Sequence, residues 1–175
     1  MWKIAGATVV VLIAAVFAFA ATRPDTFRVE RSVTIQAPPA KVYALLDDFH
    51  QWTQWSPWER VDPDMKRVHG GPTRGKGALY GWDGNKAVGK GQMEIVEADA
   101  PSHLRIKLDF LEPFEAHNTA EFTLTPQGDA TRVTWAMSGP NLFVGKLMGL
   151  VASMDSLVGP DFERGLANLK AVAEK

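Results

Sequence analysis

Three of the chain's six tryptophans fall within seven residues, Trp52, Trp55 and Trp58 of the stretch HQWTQWSPWE. An indole carries a large apolar surface and a single N–H donor. At intervals of three along a helical turn, such rings share one face. Two readings follow, a wall facing a flat apolar ligand or a plug closing the end of a core. Tyr80, Trp82 and Trp135 come from strand-like stretches and extend the wall if they face the same space. Phe110, Phe122 and Met137 have the inward parity of their strands, and Met154 and Phe162 lie on the apolar stripe near the C-terminus. Methionines suit an adaptable pocket because they repack around differing shapes. A ligand site also needs a few convergent polar groups. Parity nominates Asn118 and Arg31, with Tyr80 and Thr53 in support. The guanidinium fork of Arg31 has the geometry to hold a carboxylate or phosphate.

Catalytic and metal chemistry is thinly represented. There are no cysteines, which excludes disulfides and thiolate sites. The four histidines, His50, His69, His103 and His117, show no metal-ligand spacing. Asp47 and Asp48 close a helical stretch and are expected in solvent, as are Lys107, Asp109 and Glu121 on the outward strand face. General acid–base work needs a titrating group inside the cavity, and the inward residues offer few. GGPTRGKG, 70–77, approaches a phosphate-binding loop but ends in glycine where a magnesium-binding Ser or Thr belongs, and a strand-like stretch follows it. No catalytic residue, metal ligand or cofactor is assigned.

A formal net charge of −1 argues against a nucleic-acid footprint. The first 22 residues differ in kind. Ile4 to Ala21 is an 18-residue run without a charge. As a helix it spans about 27 Å, close to the hydrocarbon thickness of a bilayer. Ala18-Phe19-Ala20 also fits the cleavage pattern of a secretory signal, but the run is longer than most signal cores. A single-pass membrane anchor over 1–22 is therefore the expectation. Lys3 favours an inside N-terminus, whereas Arg23, Arg28 and Arg31 pull the other way. The very short tail before the span tips the reading towards a periplasmic, extracytoplasmic domain.

The elements that position these residues can be read from periodicity. FRVERSVTIQ, 27–36, alternates with Phe27, Val29, Val33 and Ile35 on one face, and Arg31 on that face needs a partner or a bulge. Pro38-Pro39 opens a helix carrying Val42, Leu45, Leu46 and Phe49 on one stripe. Pro57 interrupts the tryptophan stretch, making it a short second helix or turn. Residues 65–138 read as strands joined by tight turns, an antiparallel meander with one buried face. From Phe143 onwards the period becomes helical. Gly159-Pro160-Asp161 predicts two pieces or one sharply kinked helix.

VERSVTIQAPPAKVYALLDDFHQWTQWSPW (29–58), GNKAVGKGQMEI (84–95), PFEAHNTAEFTL (113–124) and GPDFERGLANLK (159–170) together resemble the START-like (SRPBCC) superfamily, and within it the bacterial polyketide cyclase/dehydrase-type proteins. The resemblance covers residues 27–174. It implies an α+β helix-grip fold, a curved antiparallel β-sheet around a long C-terminal α-helix, here preceded by the N-terminal transmembrane helix. It also implies an elongated apolar cavity whose usual occupant is a hydrophobic small molecule or lipid.

Three functions follow as expectations. The first is a membrane-anchored domain that binds a hydrophobic small molecule or lipid, non-catalytically. The second is a cyclase or dehydratase using Tyr80, Arg31 and Asn118. The third is an interaction module that docks a protein through an exposed patch around the three clustered tryptophans.

Overall fold

The computed structural model describes residues 16–18, 20, 22–141, 143–149 and 152–175. The apolar run at 4–21 lies outside them except for helical residues at 16–18 and 20. Among the described residues no helix is long and apolar enough to cross a membrane.

The meander expected from alternation is present. Strands β1 (Thr26–Ile35), β2 (Lys66–Gly70), β3 (Leu79–Asp83), β4 (Lys90–Asp99), β5 (His103–Glu112), β6 (Ala116–Gln127) and β7 (Ala130–Pro140) form one seven-stranded antiparallel sheet. Its order is β1-β7-β6-β5-β4-β3-β2. Register shifts at Lys90/Gly91 and Ile95/Glu97 break the β4–β5 ladder, a device that bends a sheet. Gly91 sits in the first of them, and any side chain there would collide with the Trp82 ring.

Helix α1 (Pro39–Tyr43) is shorter than its apolar stripe predicts. The chain instead tightens into 3-10 helices at Phe49–Gln54 and Pro57–Arg60. At three residues per turn these stack positions i and i+3, which brings Trp52 and Trp55 together at 4.8 Å between ring centres. Asp48 caps the first of them, accepting from the His50 N–H.

After α2 (Phe143–Met148) comes α3 (Met154–Ala173), continuous through Pro160. The break predicted at Gly159-Pro160 falls earlier, ahead of Ser153, whose hydroxyl caps α3 by accepting the Ser156 N–H. Arg31 of β1 explains part of what holds the first turns of α3 in place. Its guanidinium lies against Gly159 and pairs with Asp155 at 2.7 Å and Glu163 at 2.8 Å. That is the partner its inward parity demanded, supplied by two carboxylates on one helix face.

The opposite face of the sheet corrects one expectation. Asp109, read as solvated, is only 4% exposed. It is covered by its cross-strand neighbours His117, with Nδ1 at 2.8 Å, and Gln92, with its amide at 3.4 Å, and by Lys107 of its own strand, with Nζ at 2.8 Å. Asp47 is corrected likewise: it is 6% exposed and takes a two-pronged bond from Arg74. Arg74 lies in the glycine-rich 70–77 loop and clamps that loop to the turn that follows α1.

Candidate functional site

The concave face of the sheet, the 3-10 turns and α3 enclose a cavity of about 240 Å3. Its wall is mainly aromatic and aliphatic. Of the residues the sequence nominated, Trp52, Trp58, Tyr80 and Trp82 line it, as do Phe110, Trp135, Met137 and Phe162. Strand parity accounts for their convergence: Trp82 of β3, Phe110 of β5, and Trp135 and Met137 of β7 come from three strands and all point to the helix side. Met65, Met93, Leu108 and Ala120 fill the wall between them.

Six nominated residues stand elsewhere. Trp55 is fully buried behind the wall, its N–H donating to the Leu45 carbonyl at 3.0 Å. Phe122 is also fully buried, stacked on Trp135 at 5.0 Å and edge-on to Trp52 and Trp55. Asn118 faces inward near the end of β6, but its amide packs on Gly139. Met154 packs against the core at the start of α3. Arg31 is spent on its two carboxylates. Thr53 points away, its hydroxyl donating to the His50 carbonyl at 3.0 Å.

The tryptophan trio therefore divides. Trp55 is core. Trp52 belongs to both sides, lining the cavity while its N–H donates to the Leu46 carbonyl at 2.9 Å. Trp58 is wall, edge-on to Trp135 at 5.7 Å and to Phe162 at 6.4 Å. With Trp52 and Trp55 buried, the stretch offers a partner protein no exposed tryptophan patch.

Trp135 is the centre of the arrangement. Its ring is sandwiched between Phe122 and Phe162, the latter nearly parallel at 4.1 Å. It is 2% exposed, and its Nε1–H finds no hydrogen-bond partner among the described residues. Gly165 of α3 makes room for it, since a Cβ there would lie 2.7 Å from the indole.

Polar groups that sequence reasoning missed complete the site. Glu59 lines the cavity with its side chain 8% exposed. One carboxylate oxygen accepts from the Tyr80 hydroxyl at 2.8 Å, and the other pairs with Arg67 at 2.6 Å. Burial and this bond to Glu59 push the Tyr80 phenol upward, so it remains a neutral donor. Ser56 and Asp161 also reach the wall, Asp161 paired with Arg164. Glu59 carried one faint signal: it closes the Trp58-Glu59-Arg60 step of the turn. Nothing in the spacing pairs it with Tyr80 or Arg67, which come from separate strands.

A second cleft, of about 220 Å3, lies on the other side of Phe49. His50 and His69 stack there at 4.0 Å, His50 held by Asp48 at 2.8 Å. Burial lowers the His69 pKa below its usual 6.5. Among the described residues, no three His, Cys, Asp or Glu side chains gather as a metal site.

A family model described as polyketide cyclase / dehydrase and lipid transport matches residues 26–174. No curated protein matches the sequence. Solved structures do. Protein CV1439 from Chromobacterium violaceum is 17% identical with a TM-score of 0.60, over 87% of this chain and 99% of that one. Ginseng major latex-like protein 151 from Panax ginseng is 13% identical with a TM-score of 0.59, over 87% and 100%. The di-domain ARO/CYC BexL from the BE-7585A biosynthetic pathway is 16% identical with a TM-score of 0.61, over 91% of this chain and 53% of its own. At such identities the likeness concerns the fold.

Proposed function

The chain belongs to the polyketide cyclase / dehydrase and lipid transport family, and on that footing we propose that it is a membrane-anchored protein that binds a hydrophobic small molecule or lipid in the cavity between sheet and α3. The observation that carries this reading is the cavity wall itself. It joins an aromatic surface to an unpartnered indole N–H at Trp135 and a Glu59–Tyr80 pair, the mix of apolar area and few polar groups that fixes a ligand's orientation. The ligand fits as a flat or chain-like apolar body carrying one hydrogen-bond acceptor for Trp135. The apolar run at 4–21 supports anchoring, with the domain on the periplasmic side.

Full-length protein extracted in mild detergent should carry a co-purifying lipid or apolar metabolite in native mass spectrometry. It should also bind an environment-sensitive apolar dye that the ligand displaces. A chain that retains nothing and binds no dye would end this reading.

Glu59 favours a second reading, the cyclase or dehydratase. It is a carboxylate in the wall beside a phenol, the titratable group that acid–base chemistry on a poly-ketone substrate requires. Under that reading Glu59→Gln abolishes turnover of a linear poly-ketone while dye binding stays within twofold. Equal turnover by both proteins removes Glu59 from the chemistry.

A further inference from the structure

We propose that the end of the sheet carrying the β3–β4 and β5–β6 turns rests on a lipid bilayer, with Leu111, Phe114 and Leu157 entering the interface. This rests on the anchor reading above and adds an orientation to it.

The strand registers put several features at one end. Thr26, the first residue of β1, pairs with Pro140, the last of β7. The β5–β6 turn lies at that same end, because Phe110 pairs with Ala116 and β6 runs antiparallel to β7. So does the β3–β4 turn, because Lys90 pairs with both Asp83 and Glu112. Helix α3 also begins on that side. Asp155 near its start meets Arg31, whereas Glu174 just beyond its far end accepts the Gln36 N–H that follows β1.

Two independent properties coincide there. The first is exposed apolar side chains: Phe114 is 76% exposed, Leu157 50% and Leu111 44%. The second is the opening. Four of the less buried lining residues, Ala87, Val88, Phe110 and Val158, belong to the same turn regions and the start of α3, while the others, Trp58, Glu59 and Asp161, lie on the second 3-10 turn and the next turn of that helix. Exposed aromatic and leucine tips beside an apolar opening match an interfacial lipid contact.

The N-terminal chain selects the occupant. Its segment before β1 is fastened at this end: the Asn141 N–H donates to the Asp25 carbonyl at 2.7 Å, the Asn141 amide to the Pro24 carbonyl at 3.1 Å, and Lys146 pairs with Asp25 at 2.6 Å. Five residue-to-residue steps lead from Ala21, where the apolar run ends, to Thr26. Fully extended they reach at most about 18 Å. The ten residues of β1 span about 33 Å. The tether is thus too short to let the far end of the sheet meet the membrane while this end points away. Glu112 and Glu115 flank Phe114, so apolar insertion drives the contact, and anionic lipid does not strengthen it.

The chain has no cysteine, so single cysteines can be labelled cleanly. Full-length F114C and, separately, D129C at the β6–β7 turn of the opposite end are labelled with a polarity-sensitive fluorophore. Each is reconstituted in phosphatidylcholine vesicles containing a shallow nitroxide lipid, whose depth suits an insertion of roughly 5–10 Å. The label at 114 should shift to the blue and be quenched several-fold more than that at 129. L111C, on the same rim, should repeat the result independently. If the chain floats with vesicles but 111 and 114 are quenched no more than 129, the orientation is wrong while the anchor stands. If it fails to float, both fall.

Discussion

At the closed end of the aromatic cluster, Trp52 and Trp55 donate their N–H groups to the carbonyls of Leu46 and Leu45. One ring further along, Trp135 is as deeply buried, at 2% exposure, yet its N–H has no partner. The side-chain types are the same and the burial is nearly the same. The difference lies in hydrogen-bond closure. A buried donor left unpaired costs about 1–3 kcal/mol, and among these three neighbouring indoles the fold leaves that cost only at Trp135, a residue of the cavity wall. Aromatic density alone therefore does not distinguish the two ends of the cluster; hydrogen-bond closure does.

The largest effect should come from breaking the closed end. Trp55→Ala removes a fully buried ring, its bond to Leu45 and the platform on which Phe122 packs, with an expected loss of about 3–5 kcal/mol in urea unfolding. Trp58→Ala, on the wall, should lose about 1–2 kcal/mol, because one side of its ring already borders the cavity. Its larger effect should be on dye affinity. Similar unfolding midpoints for the two variants would erase the division between plug and wall.

Next in size is Gly165→Ala. The added methyl would sit 2.7 Å from the Trp135 ring and 3.1 Å from Pro57. Crowding of this kind costs about 1–3 kcal/mol, against a helix-propensity gain of about 1 kcal/mol. The indole must yield towards the cavity, so the variant should bind bulky dyes worse than slender ones. An equal loss for both would mean that the helix, not the ring, had moved.

The reach of the sequence differed between the same two regions. Alternation identified the strands and the inward parity of Phe110, Trp135 and Met137, because period two is set by the backbone itself, whereas it leaves the facing of Trp82 open. It did not separate Trp55 from Trp58. That distinction depends on a turn whose 3-10 pitch aligns Trp52 with Trp55 and sends Trp58 past Pro57, a matter of tertiary packing. Glu59 stayed hidden because its partners, Tyr80 and Arg67, lie on separate strands and the three meet only when the sheet closes. Asp109 was misread for a related reason: parity gives the face of a sheet, whereas burial there depends on the size of the cross-strand neighbours His117 and Gln92.

Trp135→Phe sharpens the contrast at a smaller magnitude. It keeps the stack between Phe122 and Phe162 and deletes only the unpaired donor, so stability should hold or rise by a few tenths of a kcal/mol. Affinity for an acceptor-bearing ligand should fall about five- to tenfold, the worth of one hydrogen bond. The matching change at the closed end, Trp52→Phe, should do the reverse: it strands the Leu46 carbonyl and costs about 1 kcal/mol in stability with a weaker effect on binding. Identical behaviour of the pair would show that the unpaired N–H carries no ligand contact.

The smallest effect sets the convex face against the cavity. Asp109 raises the pKa of His117 above its usual 6.5, and Lys107, His117 and Gln92 hold Asp109 below its usual 3.8 despite the opposing effect of burial. A raised folded-state pKa means that the His117 contribution is fully present below pH 6.5 and is lost as pH rises through the folded value. The Asp109 contribution is present above pH 3.8 and is lost as pH falls through its own depressed value. The stability gap between the native chain and His117→Gln should therefore be widest between about pH 4 and 6.5 and should close in alkali. Thermal midpoints at pH 5.5 and 8.5 read this directly. Dye affinity should be the same for both proteins at each pH, because His117 and Asp109 lie across the sheet from Trp135 and Glu59. A binding difference that tracks the stability gap would show that the two faces are coupled through β5 and β6, and the cavity would then have to be read as responsive to its outer face.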